Sequence, residues 1–252
     1  MRHWLCALLL ATATGMALAQ DLPDEYRATY TASKGGLVGG RVKSRLEHRA
    51  GGRLYFTNDA EPAGLLAIVR LFADVRVNEN TLMEPDGQGQ GHYRPLEYHY
   101  LQKGGDRERS GEYHFDWPRH RVTGKVLGEP FALEEIPDDT QDRLSINFRI
   151  MMDLRHDRLQ ECYPLVNRGK MDRYCFARDG KETIETAFGP LETMRLRRTD
   201  DPKRKTRTWY APALDWLPVR IEQIDEKGSR LVMEIESLEG IPHPEPESES
   251  LF

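Results

Sequence analysis

From Tyr26 the chain alternates with a period of two: Tyr26, Ala28, Tyr30 and Ala32 stand between Arg27, Thr29, Thr31 and Ser33. After Gly35-Gly36 the pattern resumes, with Val42, Ser44 and Leu46 set against Arg41, Lys43, Arg45 and Glu47. Successive side chains of a strand point to opposite faces, so this period describes strands buried on one side and wet on the other. Further strand-like runs cover 54–58, 75–82, 96–101, 111–115, 121–126, 174–177, 183–188, 192–197, 207–211, 219–224 and 231–235. Turn-forming pairs separate them: Gly51-Gly52, Gly104-Gly105, Asp179-Gly180, Gly189-Pro190, Asp201-Pro202 and Lys227-Gly228. Many short strands joined by tight turns make an antiparallel meander, which must curl or stack to cover its apolar face. The expected fold is mainly β, a single-domain curled antiparallel meander that is barrel-like or an open half-barrel.

One segment changes period. Leu144, Phe148, Met151 and Leu154 recur at helical spacing behind the capping-rich Asp138-Asp139-Thr140, which predicts an amphipathic helix over about 139–156, its apolar stripe packed over one end or face of the sheet. A shorter helical turn at 63–71 is read from Leu65, Ile68 and Leu71, although a buried strand fits nearly as well.

The first residues carry an address rather than a fold. Met1-Arg2-His3-Trp4 leads into an apolar run from Leu5 to Leu18 that ends in Ala17-Leu18-Ala19, the arrangement of a Sec-type signal peptide cleaved after Ala19. The run is shorter than the roughly 18 to 20 residues a bilayer-spanning helix needs, and Gln20, not a lipid-accepting cysteine, follows the triplet. The expected organisation is therefore a signal peptide at 1–19, a β-rich domain at 20–240 and a disordered, acidic, proline-rich tail at 241–252, with the mature protein in the periplasm and no integral membrane segment after cleavage.

A hydrophobic fraction of 38% beside 31% charged residues supports a core under a charged surface. The net charge of −5 becomes −6 when Arg2 leaves with the leader, and this gives no electrostatic case for nucleic acid. Two cysteines remain, Cys162 and Cys175, flanking Asn167-Arg168-Gly169-Lys170, a hairpin-turn signature. A two-residue loop at Arg168-Gly169 would set them opposite each other in a non-hydrogen-bonded pair, close enough for a structural disulfide in an oxidising compartment. The other reading is two buried thiols, and a primed turn would force Arg168 to positive φ.

Several segments occur in a recognisable order: Tyr93-Arg94-Pro95-Leu96-Glu97-Tyr98-His99-Tyr100, then Phe115-Asp116-Trp117, then Asp142-Arg143-Leu144-Ser145, then Trp209-Tyr210-Ala211 with Leu217-Pro218-Val219-Arg220-Ile221-Glu222. Together they resemble the bacterial exported family catalogued as domain of unknown function 3108, over roughly Tyr26 to Leu238. The resemblance implies a periplasmic, β-rich, barrel-like protein and supplies no catalytic residues.

Candidate chemistry is sparse. No His-Glu-x-x-His, nucleophile elbow, phosphate-cradling loop or Ser-x-x-Lys occurs; no metal, no cofactor and no catalytic residue is predicted. His99 and His114 can meet across a hairpin, which by itself is not a metal site. Glu134-Glu135 and Asp138-Asp139 suit a helix start better than acid–base work. Tyr98, Tyr100, Trp117, Trp209, Tyr210 and Trp216 are the candidate ligand-binding residues, lining a groove for an acyl chain or sugar ring, or else filling the core. Arg195, Arg197, Arg198, Lys203, Arg204, Lys205 and Arg207 form a candidate basic patch for lipid phosphates, acidic glycans or an acidic partner, or else protect an edge strand. Three functions follow: a non-catalytic binder of a lipid or glycan envelope component, an assembly or scaffold factor docking on an envelope protein, and a hydrolase of envelope polymers. The sequence sets no oligomeric state.

Overall fold

The protein is described by a computed structural model covering residues 23–63, 75–89, 91–105 and 108–243. The leader, most of the tail and the segment with Leu65, Ile68 and Leu71 lie outside the described residues. Fourteen strands build one antiparallel sheet. The first half of the chain supplies β1 (Tyr26–Lys34), β2 (Leu37–Arg49), β3 (Arg53–Pro62), β4 (Arg76–Pro85), β5 (Tyr93–Lys103), β6 (Arg109–Asp116), β7 (Arg121–Val126) and β8 (Glu129–Leu133). Helix α1 (Ser145–Arg155) follows, then β9 (Cys162–Asn167), β10 (Lys170–Thr186), β11 (Gly189–Arg198), β12 (Arg204–Ala211), β13 (Leu217–Asp225) and β14 (Arg230–Glu239).

The spatial order is β8-β7-β6-β5-β4-β3-β2-β1-β14-β13-β12-β11-β10-β9. Two meanders thus fan out from a central β1–β14 pair, in which Lys34 faces Leu231 and Arg27 faces Glu239. The edges β8 and β9 are not paired with each other. Between them runs the segment before α1: the Gln141 N–H donates to the Pro164 carbonyl at 2.9 Å, and the Val166 N–H donates to the Gln141 carbonyl at 2.8 Å. The curled sheet is therefore open in its strand ladder, with a strap of irregular chain at the gap.

The period-two alternation sorts the two faces as expected. Tyr26, Ala28 and Tyr30, Leu46, Leu54 and Phe56, Tyr113 and Phe115 are buried in one connected core. The opposite face is wet and carries cross-strand ion pairs, among them Arg41–Glu236, Lys43–Glu61, Arg45–Asp59, Arg195–Asp179 and Arg220–Glu234.

The structure corrects four details. Helix α1 starts at Ser145, not near 139, because Asp142 and not Asp138-Asp139 supplies the cap: its Oδ1 accepts from the N–H groups of Leu144 and Ser145, each at 2.7 Å, while Ser145 Oγ accepts from the Asp142 N–H. The helix does not cover the sheet with one stripe. Nine of its eleven residues are buried, so it fills the concave interior, with Phe148 edge-on to Tyr93 at 5.6 Å. Its polar residues are buried as a pair, Arg149 Nε donating to Asp153 Oδ2 at 2.9 Å, and Tyr163 on β9 donates to the same oxygen at 2.9 Å. Asp179-Gly180 is a bulge inside β10 rather than a turn: the register against β11 shifts between Arg178 and Lys181, and Gly180 takes φ +100°. The next turn is made by Ala187-Phe188, and Gly189 opens β11. Strand β8, short and carrying Pro130, has no sequence signature of its own. At the other end of the chain Ile241 is buried and His243 packs on Phe188 at 4.5 Å, so residues 241–243 belong to the body.

The hairpin around Arg168-Gly169 forms in the expected register, with both residues at positive φ (52° and 72°). Cys162 and Cys175 face each other with Cα atoms 4.0 Å apart and are joined as a disulfide.

Two outcomes follow from this packing. Phe148→Ala should lower stability by about 3–5 kcal/mol, read from urea midpoints, because it opens a cavity in the helix–sheet core that the surrounding strands cannot collapse into. Reducing the Cys162–Cys175 bond should lower stability by about 3 kcal/mol, the scale for a loop of this length; midpoints unchanged by reductant would show that the bond closes no loop left open in the unfolded chain.

Candidate functional site

The seam between the two sheet edges is built from aromatic side chains and one glycine turn. The tip of the β9–β10 hairpin reaches over to β6 and β8. There Tyr113 accepts hydrogen bonds at its phenol oxygen from the backbone of Arg168 and Gly169. Its ring lies 4.9 Å from Tyr98 and 5.2 Å, edge-on, from Phe131. Gly169 fits because it has no side chain: a Cβ there would stand 3.2 Å from the Phe131 ring, on a backbone already at φ +72°.

Beside this staple opens a cleft of about 240 Å³. Its walls are Tyr98, Tyr100, Tyr113 and Val126, and Leu127, Arg109 and Arg168 stand at its rim. Its floor is Arg143, in the turn before α1, whose guanidinium lies 5.0 Å from the centre of the Tyr100 ring. Burial works against the Arg143 charge, but Glu79 and the oxygens of Tyr98, Tyr174 and Tyr100 outweigh it and hold the group cationic.

Below the floor is a buried polar network. Tyr98 donates its hydroxyl to Glu79 Oε1 at 2.6 Å, and Thr81 donates to Asp142 Oδ2 at 2.6 Å. Burial, and then the Glu79 charge, raise the Tyr98 phenol far above its ordinary range, so it acts only as a donor. Burial pushes Asp142 up to about 6, against the opposing pull of the Thr81 hydroxyl and the Ser145 and Leu144 N–H groups. Both carboxylates are thus committed, one to a tyrosine and one to a helix cap. What the cleft presents outward is stacking surface with a fixed cation beneath it, a combination that suits an anionic or ring-bearing ligand. Among the described residues no three His, Cys, Asp or Glu side chains converge as a metal site.

Of the six aromatic candidates, Tyr98 and Tyr100 line this cleft. Trp117 stacks on Phe115 at 5.5 Å, donates to the Pro95 carbonyl at 2.7 Å and lies under Arg94. Trp209 lies on the outer face, with Arg195 and Arg220 each 5.9 Å from its ring centre, and donates to Glu182. Tyr210 is buried and Trp216 is half-buried in the β12–β13 connection. The six do not form one site. The basic candidates divide as well. Arg195 pairs with Asp179 and Glu182, Arg207 with Asp179 and Glu222, and Arg198 with Asp200 while stacking on Tyr174. Arg204 reaches Gln223; Arg197, Lys203 and Lys205 are exposed. His99 and His114 do meet across the β5–β6 hairpin, 6.4 Å apart and edge-on.

Residue-by-residue reading missed Glu79, Thr81, Asp142 and Arg143 as a cluster. A signal existed for the first two: they share the inward face of β4 with Met83, and polar groups at inward strand positions are costly unless partnered. Asp142-Arg143 stood in the helix-opening segment of the family resemblance, where nothing local tied them to Tyr98 and Tyr100.

The sequence profile of the family described as protein of unknown function (DUF3108) matches residues 25–236. No curated protein matches the chain. Among solved structures, the chain is similar to a β-barrel-like protein of domain of unknown function DUF1849 from Brucella abortus, with 9% identity and a TM-score of 0.54 over 87% of this chain and 98% of that one. That likeness shows a shared fold. A putative lipoprotein from Parabacteroides distasonis matches with 10% identity and a TM-score of 0.32, over 86% and 96% of the two chains.

The Asp142 shift has a definite sign. Its carboxyl titrates at about 6 when folded against the ordinary 3.8, so the native state holds the extra proton between these values. The stabilisation is complete below the lower value and is lost as pH rises through about 6. Relative to Asp142→Asn, which keeps a cap oxygen but cannot ionise, the protein should lose up to about 3 kcal/mol between pH 4 and 7. A pH-independent difference in urea midpoints between the two would show that Asp142 is not buried as described.

Proposed function

We propose, from the premise that the chain belongs to the DUF3108 family, that it is an exported protein of the bacterial cell envelope that binds a lipid or glycan component without transforming it. The observation that carries this reading is the cleft at the seam: three tyrosines over the half-buried Arg143, bordered by Val126 and the exposed Leu127. A sugar ring or the upper part of an acyl chain finds an apolar wall there, and an acidic substituent finds Arg143. Helix α1 fills much of the rest of the interior, where a smaller cavity of about 80 Å³ beside Asn147 and Met151 leaves less room than the cleft.

The same geometry argues for binding rather than hydrolysis. Glycosidase-type chemistry needs two carboxylates free to exchange protons with substrate, whereas the cleft lining carries one, the exposed Glu108, and Glu79 and Asp142 lie beneath the wall, already bonded to Tyr98, Thr81 and the cap of α1. Docking of a protein on the basic β11–β12 hairpin is less well supported, because Arg195, Arg198 and Arg207 are neutralised by carboxylates of their own sheet. The export signal read at residues 1–19 belongs to this proposal, and among the described residues no helix is long and apolar enough to cross a membrane.

Native mass spectrometry of the protein recovered from the periplasm tests the reading. The polypeptide mass should correspond to a chain starting at Gln20, accompanied by a non-covalent adduct of lipid or glycan mass. Tyr100→Ala, a half-buried wall position, should weaken adduct retention about tenfold, equivalent to about 1.4 kcal/mol, with the fold intact by circular dichroism. A bare polypeptide in every gentle preparation, or an adduct indifferent to Tyr100→Ala, would remove the cleft as the binding site.

A further inference from the structure

The ladder registers place the β1–β2, β5–β6, β7–β8, β9–β10, β11–β12 and β13–β14 turns at one end of the curled sheet. Five large apolar residues are exposed among the described residues, Leu37, Val38, Leu101, Leu127 and Met171, and all five lie at that end. All but Val38 have an exposed cation directly beside them. Lys34 faces Leu37 across the first hairpin, Lys103 follows Leu101, Lys125 precedes Leu127, and Arg168 and Lys170 precede Met171. None of these five cations takes part in an ion pair among the described residues, whereas those of the outer sheet face mostly do.

Turn chemistry does not account for these tips. Leu127 and Gly128 both have positive φ, 53° and 85°, in a two-residue hairpin turn, where asparagine or aspartate before glycine is the unstrained choice. A leucine there is strained, 63% exposed and adds nothing to the core. Of the carboxylates at the same end, Asp172, Asp201 and Asp225 accept from the N–H groups of Arg173, Lys203 and Lys227, while Glu108, Glu129 and Glu226 are exposed; the exposed cations there, with Arg109, Arg173, Lys203, Lys205 and Lys227 added to the five above, outnumber them. The opposite end differs: Asp24, Glu25, Glu134, Glu135, Asp138 and Glu239 are exposed there together with Arg27, Arg49, Arg53 and Arg119, so its charges are mixed, and among the described residues it has no exposed large apolar side chain.

We infer that the apolar-and-cationic turn end docks on an anionic lipid surface. Scattered apolar tips a few residues from unpaired lysines and arginines suit a bilayer interface: the tips enter the acyl boundary while the cations meet headgroup phosphates. A protein partner would be served by one contiguous patch, which five residues spread over four separate hairpins do not make. The far end, mixed in charge and without exposed apolar tips, then points away from the membrane, fixing the orientation. The cleft opens at the docking end, since Arg109, Leu127 and Arg168 border both. The docking surface stands without any ligand in that cleft.

Flotation of the purified full chain with vesicles tests this, using phosphatidylcholine alone and phosphatidylcholine with about one-third phosphatidylglycerol. Binding should favour the anionic vesicles and fall as salt rises. Lys34→Ala with Lys103→Ala should weaken it by about fivefold per cation removed, and Leu37→Asp with Leu127→Asp should abolish it. Lys substitutions at Glu134 and Glu135, at the opposite end, should leave binding unchanged. An uncleaved leader would bind vesicles equally in every variant, so the comparison among variants decides. No partition onto anionic vesicles, equal partition of the parent chain and the Leu37→Asp, Leu127→Asp variant, or capture of a protein in place of vesicles would each overturn the inference.

Discussion

A long antiparallel sheet with one apolar face has to hide that face, and the one α-helix among the described residues makes hiding it feasible. Fourteen strands cannot lie flat once each is twisted, so the sheet curls, and a cylinder of about 10 Å diameter with side chains is the natural filler for the trough. Helix α1 meets that requirement with Phe148, Met151 and Leu154 on one side and Ile146, Ile150 and Met152 on the others. It also carries Arg149 and Asp153 into the core. That pair is tolerated because Tyr163 on β9 and Arg158 beyond the helix add partners to Asp153, and removing one member would leave a buried charge exposed to the full desolvation penalty.

The place where the helix enters is also where the sheet fails to close. The chain between β8 and α1 must cross from the outer edge of one meander to the interior, and it straps β9 through Gln141 on the way. Edge strands left unpaired are prone to join other chains. Here the gap is instead bridged by Tyr113 and Phe131 against the Gly169 turn. The cleft is the residue of that incomplete closure, and its polar floor is the start of the helix itself. Structural necessity and binding capacity therefore share Asp142, Arg143 and Tyr98.

The charge distribution has the same logic at larger scale. On the outer face lysines, arginines and carboxylates stand opposite each other on neighbouring strands, which solvates the sheet while nearly cancelling its charge. Individually such exposed pairs contribute little stability, about 0–1 kcal/mol each. Their cancellation leaves the turn end, with its exposed apolar tips and unpaired cations, distinct from the rest of the surface.

Most strands other than β8, the alternation of faces along them, the Cys162–Cys175 pairing and the helix before β9 were legible in the sequence, because each depends on neighbours a few residues away. Period two requires only the backbone pleat, and the disulfide needed only a two-residue turn at Arg168-Gly169. Gly180 misled because glycine permits a turn and a bulge alike, and only the partner strand β11 selects between them. What the tertiary structure alone decided was the pairing of β1 with β14, the helix inside rather than on the sheet, the fate of Trp117 and Trp209 as packing residues, and the meeting of Glu79, Tyr98 and Arg143. Those groups are far apart along the chain, and nothing in their local sequence encodes how a curled sheet will fold one upon another.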